Sequence, residues 1–423
     1  MRSRSTLAIL AAPFLLTLAL AGCGPASASP AASSSAPAAV KDQSAGASSP
    51  ASAHASVPAS SSASSAGSAS PAASGSAAGQ PAGGPVPGGF AAASATWVSA
   101  DEGYVLGTAP CSKAPCTSVL RTTDRGASWK GLPAPVVPLG RLGSANPEVW
   151  GIRFATPLHG FVFGTELQET TDGGEHWHPV DLPVQISDPS FVSLEITGGQ
   201  VLALMEQCVP GKSCSGHGLL MRRPLSGGGW QQVAQVTAPS AIGAGSGMAA
   251  VLNGSRVLTT SDGGQSLASY ATPCTNPDTD GAVAVAVTGP KSLALLCAGG
   301  AAAGSVRKTV YVSSDGGAQW TKAGSPAPGG DPYGIAGGTA SRLVVGADSG
   351  ASWLYSSANG GRTWGTAFEK GDGGMGFNDL GFTNSGDGSV VYAPVTTDDN
   401  GLHDPGRLLL TGDGGSAWHV VTW

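Results

Sequence analysis

Short apolar runs separated by Gly, Pro, Asn and Asp turns fill the chain from about residue 90 onward, and none of them shows helical periodicity. Such runs predict short β-strands. Ala95-Thr96-Trp97-Val98 and Tyr104-Val105-Leu106-Gly107 flank a turn at Asp101-Glu102-Gly103, and Val119-Leu120-Arg121 follows as a third strand. The order returns with Val149-Trp150-Gly151-Ile152-Arg153-Phe154 and then Phe161-Val162-Phe163-Gly164. Each group runs into one recurring pattern, Ser/Thr-x-Asp-x-Gly-x-x-Trp. It is complete at Asp124 with Trp129, Asp172 with Trp177, Asp315 with Trp320 and Asp413 with Trp418. Three copies are weaker: Asn359 replaces Asp before Trp364, Leu267 replaces Trp after Asp262, and Leu225–Trp230 keeps only the glycines and Trp230. The closing positions recur roughly every 48 residues, the period of a propeller with one repeat per blade. The pattern therefore predicts an all-β fold: a seven-bladed β-propeller of four-stranded antiparallel blades over residues 90–423.

The pattern has a local chemistry. An Asp ahead of Gly-Gly makes a tight turn in which the carboxylate accepts backbone N–H groups and glycine supplies positive φ. The Trp opens the following strand and offers a large apolar face for burial. These residues resemble the Asp-box, or bacterial neuraminidase, repeats of sialidase-like propellers. The phrase of turn, Gly, aromatic, Val, x, Gly at the second strand is more similar to photosystem II stability and assembly factors than to sialidases. The resemblance implies a box on the hairpin between the third and fourth strands of every blade. It also implies protein binding of a chaperone-like kind. The box residues Asp124, Asp172, Asp262, Asp315, Asn359 and Asp413 are read as structural.

The first 89 residues differ in kind. Arg2 and Arg4 precede an apolar stretch from Leu7 to Leu20 that ends in Leu20-Ala21-Gly22-Cys23. A basic start, a short hydrophobic run and small residues describe a secretory signal peptide, here residues 1–22. The ending looks like a bacterial lipobox, which implies cleavage before Cys23 and lipidation of its sulfur. Residues 23–89 are almost wholly Ala, Ser, Pro and Gly, with only Lys41 and Asp42 charged, and composition assigns them to a disordered linker. The expected location is the outer face of the cytoplasmic membrane, with membrane contact through the lipid anchor only.

Six cysteines remain beyond Cys23: Cys111, Cys116, Cys208, Cys214, Cys274 and Cys297. Their places in the repeat pair Cys111 with Cys116, Cys208 with Cys214, and Cys274 with Cys297, all on the face opposite the boxes. An exported chain favours these disulfides over a zinc site built with His217.

Setting aside Arg2, Arg4, Lys41 and Asp42 leaves 18 basic against 26 acidic side chains, a formal charge of −8 for residues 90–423. Nucleic acid is excluded as a partner class, since it needs basic clusters. A protein or peptide partner fits, a glycan is the alternative, no cofactor or metal is expected, and the chain is read as a monomer. A sialidase would need three convergent arginines, a Tyr nucleophile and an Arg-Ile-Pro segment; Ile152-Arg153-Phe154 has the wrong order and lacks the Pro. Glu166, Glu195 and Glu206 are the acidic candidates for a glycosidase of another kind. His176 and His178 bracket Trp177 and read as exposed strand polarity. The insertion from Asp398 to Asp404 offers oxygens for calcium, and Asp372-Gly373-Gly374 reads as crossover rather than an eighth box. Function is therefore expected to be non-catalytic binding, with a glycan-binding module or glycoside hydrolase as the alternative. Recognition is expected on the loops of the disulfide-bearing face, near the channel mouth.

Overall fold

The computed structural model describes residues 79–423, apart from 142–145, 182–188, 209–213, 238–240, 275–280, 374–375, 395–396, 399–400 and 403–405. Residues 1–78, which include the signal-peptide, lipobox and most linker assignments, lie outside the described residues.

Seven four-stranded antiparallel sheets follow one another along the chain. Their first strands are Ala91–Trp97, Val149–Phe154, Pro189–Thr197, Ile242–Gly245, Gly281–Gly289, Asp331–Thr339 and Phe377–Phe382. In each sheet the strands run in sequence order from the centre of the ring to its edge. An inserted two-stranded hairpin, Thr397–Asp398 with Gly401–Leu402, stands between the second and third strands of blade seven. The calcium assignment falls here, and Asn400 and Asp404 of it lie outside the described residues.

Burial follows the alternation of the strands. The second strand of blade one, Gly103–Thr108, is buried throughout, because both faces of a blade meet neighbours. Tyr104, Leu106 and Val119 point toward blade two, whereas Val105 and Leu120 point toward blade seven. The same division repeats around the ring, giving seven apolar clusters, one at each blade interface. The core is thus a circuit of layers rather than one centre.

Every box lies on the hairpin between third and fourth strands, and its closing residue precedes the fourth strand by one position, as Trp129 precedes Lys130–Leu132. In blade two, the Thr170 hydroxyl donates to Asp172 Oδ1 at 2.8 Å and accepts from Gly174 N at 2.9 Å, while His176 N donates to Asp172 at 3.0 Å. Gly174 at φ 93° makes that turn possible. The residue after the Asp then donates its N–H to a carbonyl in the turn between the first two strands. The pairs are Arg125 to Asp101, Gly173 to Leu158, Gly316 to Lys291, Gly360 to Ser341 and Gly414 to Gly386. Boxes and first turns therefore share one face. Blade three lacks the Asp and ties its hairpin differently, with Arg223 Nε donating to Gly228 O at 3.1 Å.

Residues 79–89, assigned to the linker by composition, pack on the propeller. Gly84 and Gly131 exchange two backbone hydrogen bonds along the outer strand of blade one, and Arg121 donates to Pro81 O at 3.0 Å. Gln80 donates to Glu102 and to Pro157 O. The Gln80 amide and the backbone pair at Gly84 carry this contact, so a sequence poor in apolar side chains still docks.

The ring closes without strand exchange, since the edge strand of blade seven is the chain's own His419–Val420. Blade one meets blade seven through Phe90, Ala92 and Val105 against Val391, Leu408 and Val421. Ala92 N donates to Gly406 O at 2.8 Å, and Trp423 packs edge-on against Phe90 and Trp129. Two disulfides stand where the repeat places them: Cys111–Cys116 in the second-to-third loop of blade one, and Cys274–Cys297 between blades four and five. Cys208 and Cys214 are register partners on adjacent strands, and their side chains lie outside the described residues.

Candidate functional site

The centre of the ring holds a cavity of about 370 Å³ to which all seven first strands contribute. Each lends mainly its second half: Ala95–Trp97, Arg153–Phe154, Glu195–Ile196, Ile242–Gly245, Val285–Val287, Ile335–Gly337 and Asp379–Phe382. First strands run toward the box face, and Ala100, Arg125 and Thr383 of that face complete the lining. The cavity is therefore the box-side half of the central channel. Sequence reasoning placed recognition at the opposite mouth, and several loops there lie outside the described residues.

Small residues such as Gly243, Ala286 and Gly337 keep the channel open on the side of blades four to six. The other side is charged. Arg153 Nε lies 3.2 Å from Glu195 Oε1, and Nη2 lies 2.7 Å from Asp379 Oδ1, while Nη1 donates to Ile152 O at 2.8 Å. Asp379 Oδ2 accepts from the Ser94 hydroxyl and from Ala95 N, and Ser94 Oγ accepts in turn from Ile152 N. One network thus links blade seven, blade one, blade two and blade three in series across the closure of the ring. Asp379 sits at φ 51°, in the left-handed region that Asp and Asn tolerate better than most residues.

Burial pushes the Glu195 carboxyl above its ordinary range, with Arg153 opposing the shift and Asp379 reinforcing it. About a quarter of the side chain (23%) still meets the channel, so water tempers the effect. The Arg153 guanidinium is raised, its desolvation outweighed by the charges of Asp379 and Glu195. Glu195 and Asp379 share one guanidinium. Among the described residues no three His, Cys, Asp or Glu side chains converge as a metal site.

The other acidic candidates lie elsewhere. Glu206 is buried in blade three, and Glu166 stands in the second-to-third turn of blade two, 3.4 Å from the Gln168 amide. His176 is 69% exposed and bonds Asp172 within its own box. The box carboxylates are held below their usual range by hydrogen bonds that outweigh desolvation, Asp172 to about 2. A second ionic group joins blades two and three: Glu169 lies 2.6 Å from His159 Nε2 and 3.0 Å from Arg223 Nη2. Of the three glutamates named from sequence, only Glu195 lines the cavity. Arg153 and Asp379 were missed as partners, though a signal existed: with Glu195 they are the charged first-strand residues that line the channel.

No protein-family model matches the sequence, and no curated protein does. Solved structures of similar arrangement include YCF48 bound to a D1 peptide, with 16% identity, covering 80% of this chain and 96% of that one, at a TM-score of 0.47. YCF48 from Cyanidioschyzon merolae gives 15% identity, coverage of 78% and 95%, and a TM-score of 0.46. An ulvan lyase of polysaccharide lyase family PL25 gives 9%, with coverage of 76% and 91% and a TM-score of 0.49. At such identities these neighbours assign neither substrate nor partner to this chain.

Proposed function

We propose that this chain is a non-catalytic propeller, held outside the cytoplasmic membrane by a lipid on Cys23, that binds a protein partner at the box-side mouth of its channel. The observation that supports binding over hydrolysis is the tie of Glu195 and Asp379 to the single Arg153 guanidinium. A glycosidase pair needs one carboxyl group that donates a proton and one free to act as base or nucleophile. Asp379 accepts from a guanidinium, a hydroxyl and a backbone N–H, so its oxygens are engaged within the protein rather than free to act on a substrate. The blade scaffold holds a cavity of stable shape, and the short first turns around it leave the mouth open to a partner segment.

The test is photo-crosslinking in native membranes with the full chain. A crosslinking residue at Ala100 or Thr383, on the channel rim, is expected to capture one defined protein. The same group at Gln232, on the exposed outer strand of blade three, is expected to capture none. Equal capture from both places, or none from the rim, refutes the reading.

A further inference from the structure

The channel cavity carries a charge imbalance that specifies what enters it. Its titratable lining comprises Arg125, Arg153, Glu195, Asp379 and Asp387, three carboxylates against two guanidiniums. Arg153 is spent on Glu195, Asp379 and Ile152 O, and Arg125 pairs with Asp101 at 2.7 Å. Asp379 is saturated by its donors, and Asp387 accepts from Asn384 Nδ2 at 2.7 Å. Among the described residues Glu195 has Arg153 as its one hydrogen-bond partner, through Oε1, and 23% of its side chain is exposed.

On the wall that faces this group Ile242 and Val287 are the partly exposed aliphatic side chains, while Val285 and Ile335 are buried in the blade interfaces behind them. Trp97 and Phe154 stand on the charged side. A ligand that satisfies both walls has one positive donor for Glu195 and an apolar stem for the opposite wall. Carboxylates and phosphates meet a net negative lining, and a neutral alcohol gains nothing from the charge.

We propose that the channel binds a primary alkylammonium group, with Glu195 as its acceptor and the aliphatic wall as the seat of its stem. This deepens the partner-binding role and rests on the channel being the docking site. A lysine side chain of a partner and a free aliphatic amine share this chemistry. A compact ammonium, unlike a second guanidinium, also fits beside Arg153 without needing a planar bidentate site.

Ligand-observed NMR titration of the full chain in detergent with pentylamine, pentan-1-ol and pentanoate tests the site. Pentylamine is expected to bind about tenfold more tightly than pentan-1-ol, and pentanoate more weakly than either. Glu195→Gln is expected to bring pentylamine to the level of the alcohol. Equal binding of amine and alcohol, a preference for pentanoate, no binding of any probe, or an unchanged Glu195→Gln variant overturns the proposal. If that variant fails to fold, the three-probe comparison on the wild type decides alone. A second arm compares the peptide Ac-Gly-Ala-Lys-Ala-Gly-amide with its norleucine twin. A tenfold preference for lysine supports a partner's side chain as the source, and binding of pentylamine without it supports a free amine. A positive amine result beside failed rim crosslinking keeps the ammonium site and removes the protein-partner reading, whereas the reverse outcome does the opposite.

Discussion

Replacing Asp379 tests whether the ring is closed by chemistry as well as by packing. Three things are lost in Asp379→Ala. Arg153 loses the closer of its two carboxylates, the one at 2.7 Å, and keeps Glu195 at 3.2 Å. Removing one partner of a buried pair costs about 3–5 kcal/mol when nothing else compensates, so the surviving Glu195 brings this to about 2 kcal/mol. The Ala95 N–H loses its acceptor, and an unsatisfied buried donor costs about 1–3 kcal/mol. Alanine at φ 51° adds about 1 kcal/mol of backbone strain. The expected loss is about 4 kcal/mol, a large share of a domain's typical 5–15 kcal/mol. Asp379→Asn keeps the backbone conformation and one acceptor oxygen, so its expected loss is about 1.5 kcal/mol. Urea denaturation followed by tryptophan fluorescence measures both, with midpoints compared at constant slope. A loss below about 1 kcal/mol for the alanine variant would mean that apolar packing alone closes the ring. Equal losses for Asn and Ala would mean that charge alone matters and the turn conformation does not.

Four further outcomes are expected. The raised carboxyl of Glu195 favours the protonated folded state, so wild-type stability falls as pH rises from 4.5 through the folded value; Glu195→Gln should match wild type near pH 4 and exceed it at pH 7, and a variant weaker at pH 7 refutes this. Asp172→Ala should cost about 1 kcal/mol at pH 7, a value discounted for the exposure of the carboxylate. That deficit should shrink as pH falls from 3.8 toward 2, because the depressed pKa stabilises only above that window; a deficit unchanged at pH 2 refutes it. Cys23→Ser should move the chain out of the detergent phase on phase separation, and unchanged partitioning defeats the anchor. Graded reduction followed by mass mapping should open the exposed Cys111–Cys116 loop before Cys274–Cys297, whose residues are 1% and 0% exposed; simultaneous reduction of the folded chain contradicts that order.

The architecture was legible because the box is both frequent and local. Thr170, Asp172 and Gly174 satisfy one another within five residues, so spacing in the sequence is spacing in space. The disulfides Cys111–Cys116 and Cys274–Cys297 followed from the same repeat map. The channel network was not legible in that way. Asp379 and Arg153 are 226 positions apart and meet only because the ring returns to its start. Aligning the seven first strands and asking which carry a charge would have narrowed the choice to Arg153, Glu195, Asp331 and Asp379. The docking of Gln80 to Gly89 was hidden for a different reason: it rests on the backbone pair at Gly84 and on one side-chain amide, Gln80, neither of which composition reports.

The closure and the cavity are one place, and this has a thermodynamic consequence. Ser94, Arg153, Glu195 and Asp379 link blades seven, one, two and three, and Glu195 is the most exposed of the three charged side chains in that network. An ammonium bound there adds a positive charge beside a carboxylate that burial disfavours, and so relieves the strain that the empty channel places on Glu195. The ligand then stabilises the closed ring by mass action, by about 2.7 kcal/mol at one hundred times its dissociation constant. The same linkage runs in reverse: a variant that loosens the closure, such as Asp379→Ala, lowers the share of rings able to bind and weakens apparent affinity by that share. Pentylamine titrated against Asp379→Ala should therefore bind more weakly although Asp379 itself is saturated and makes no contact with the amine. Wild-type affinity in a destabilised Asp379→Ala ring would show that cavity and closure are independent.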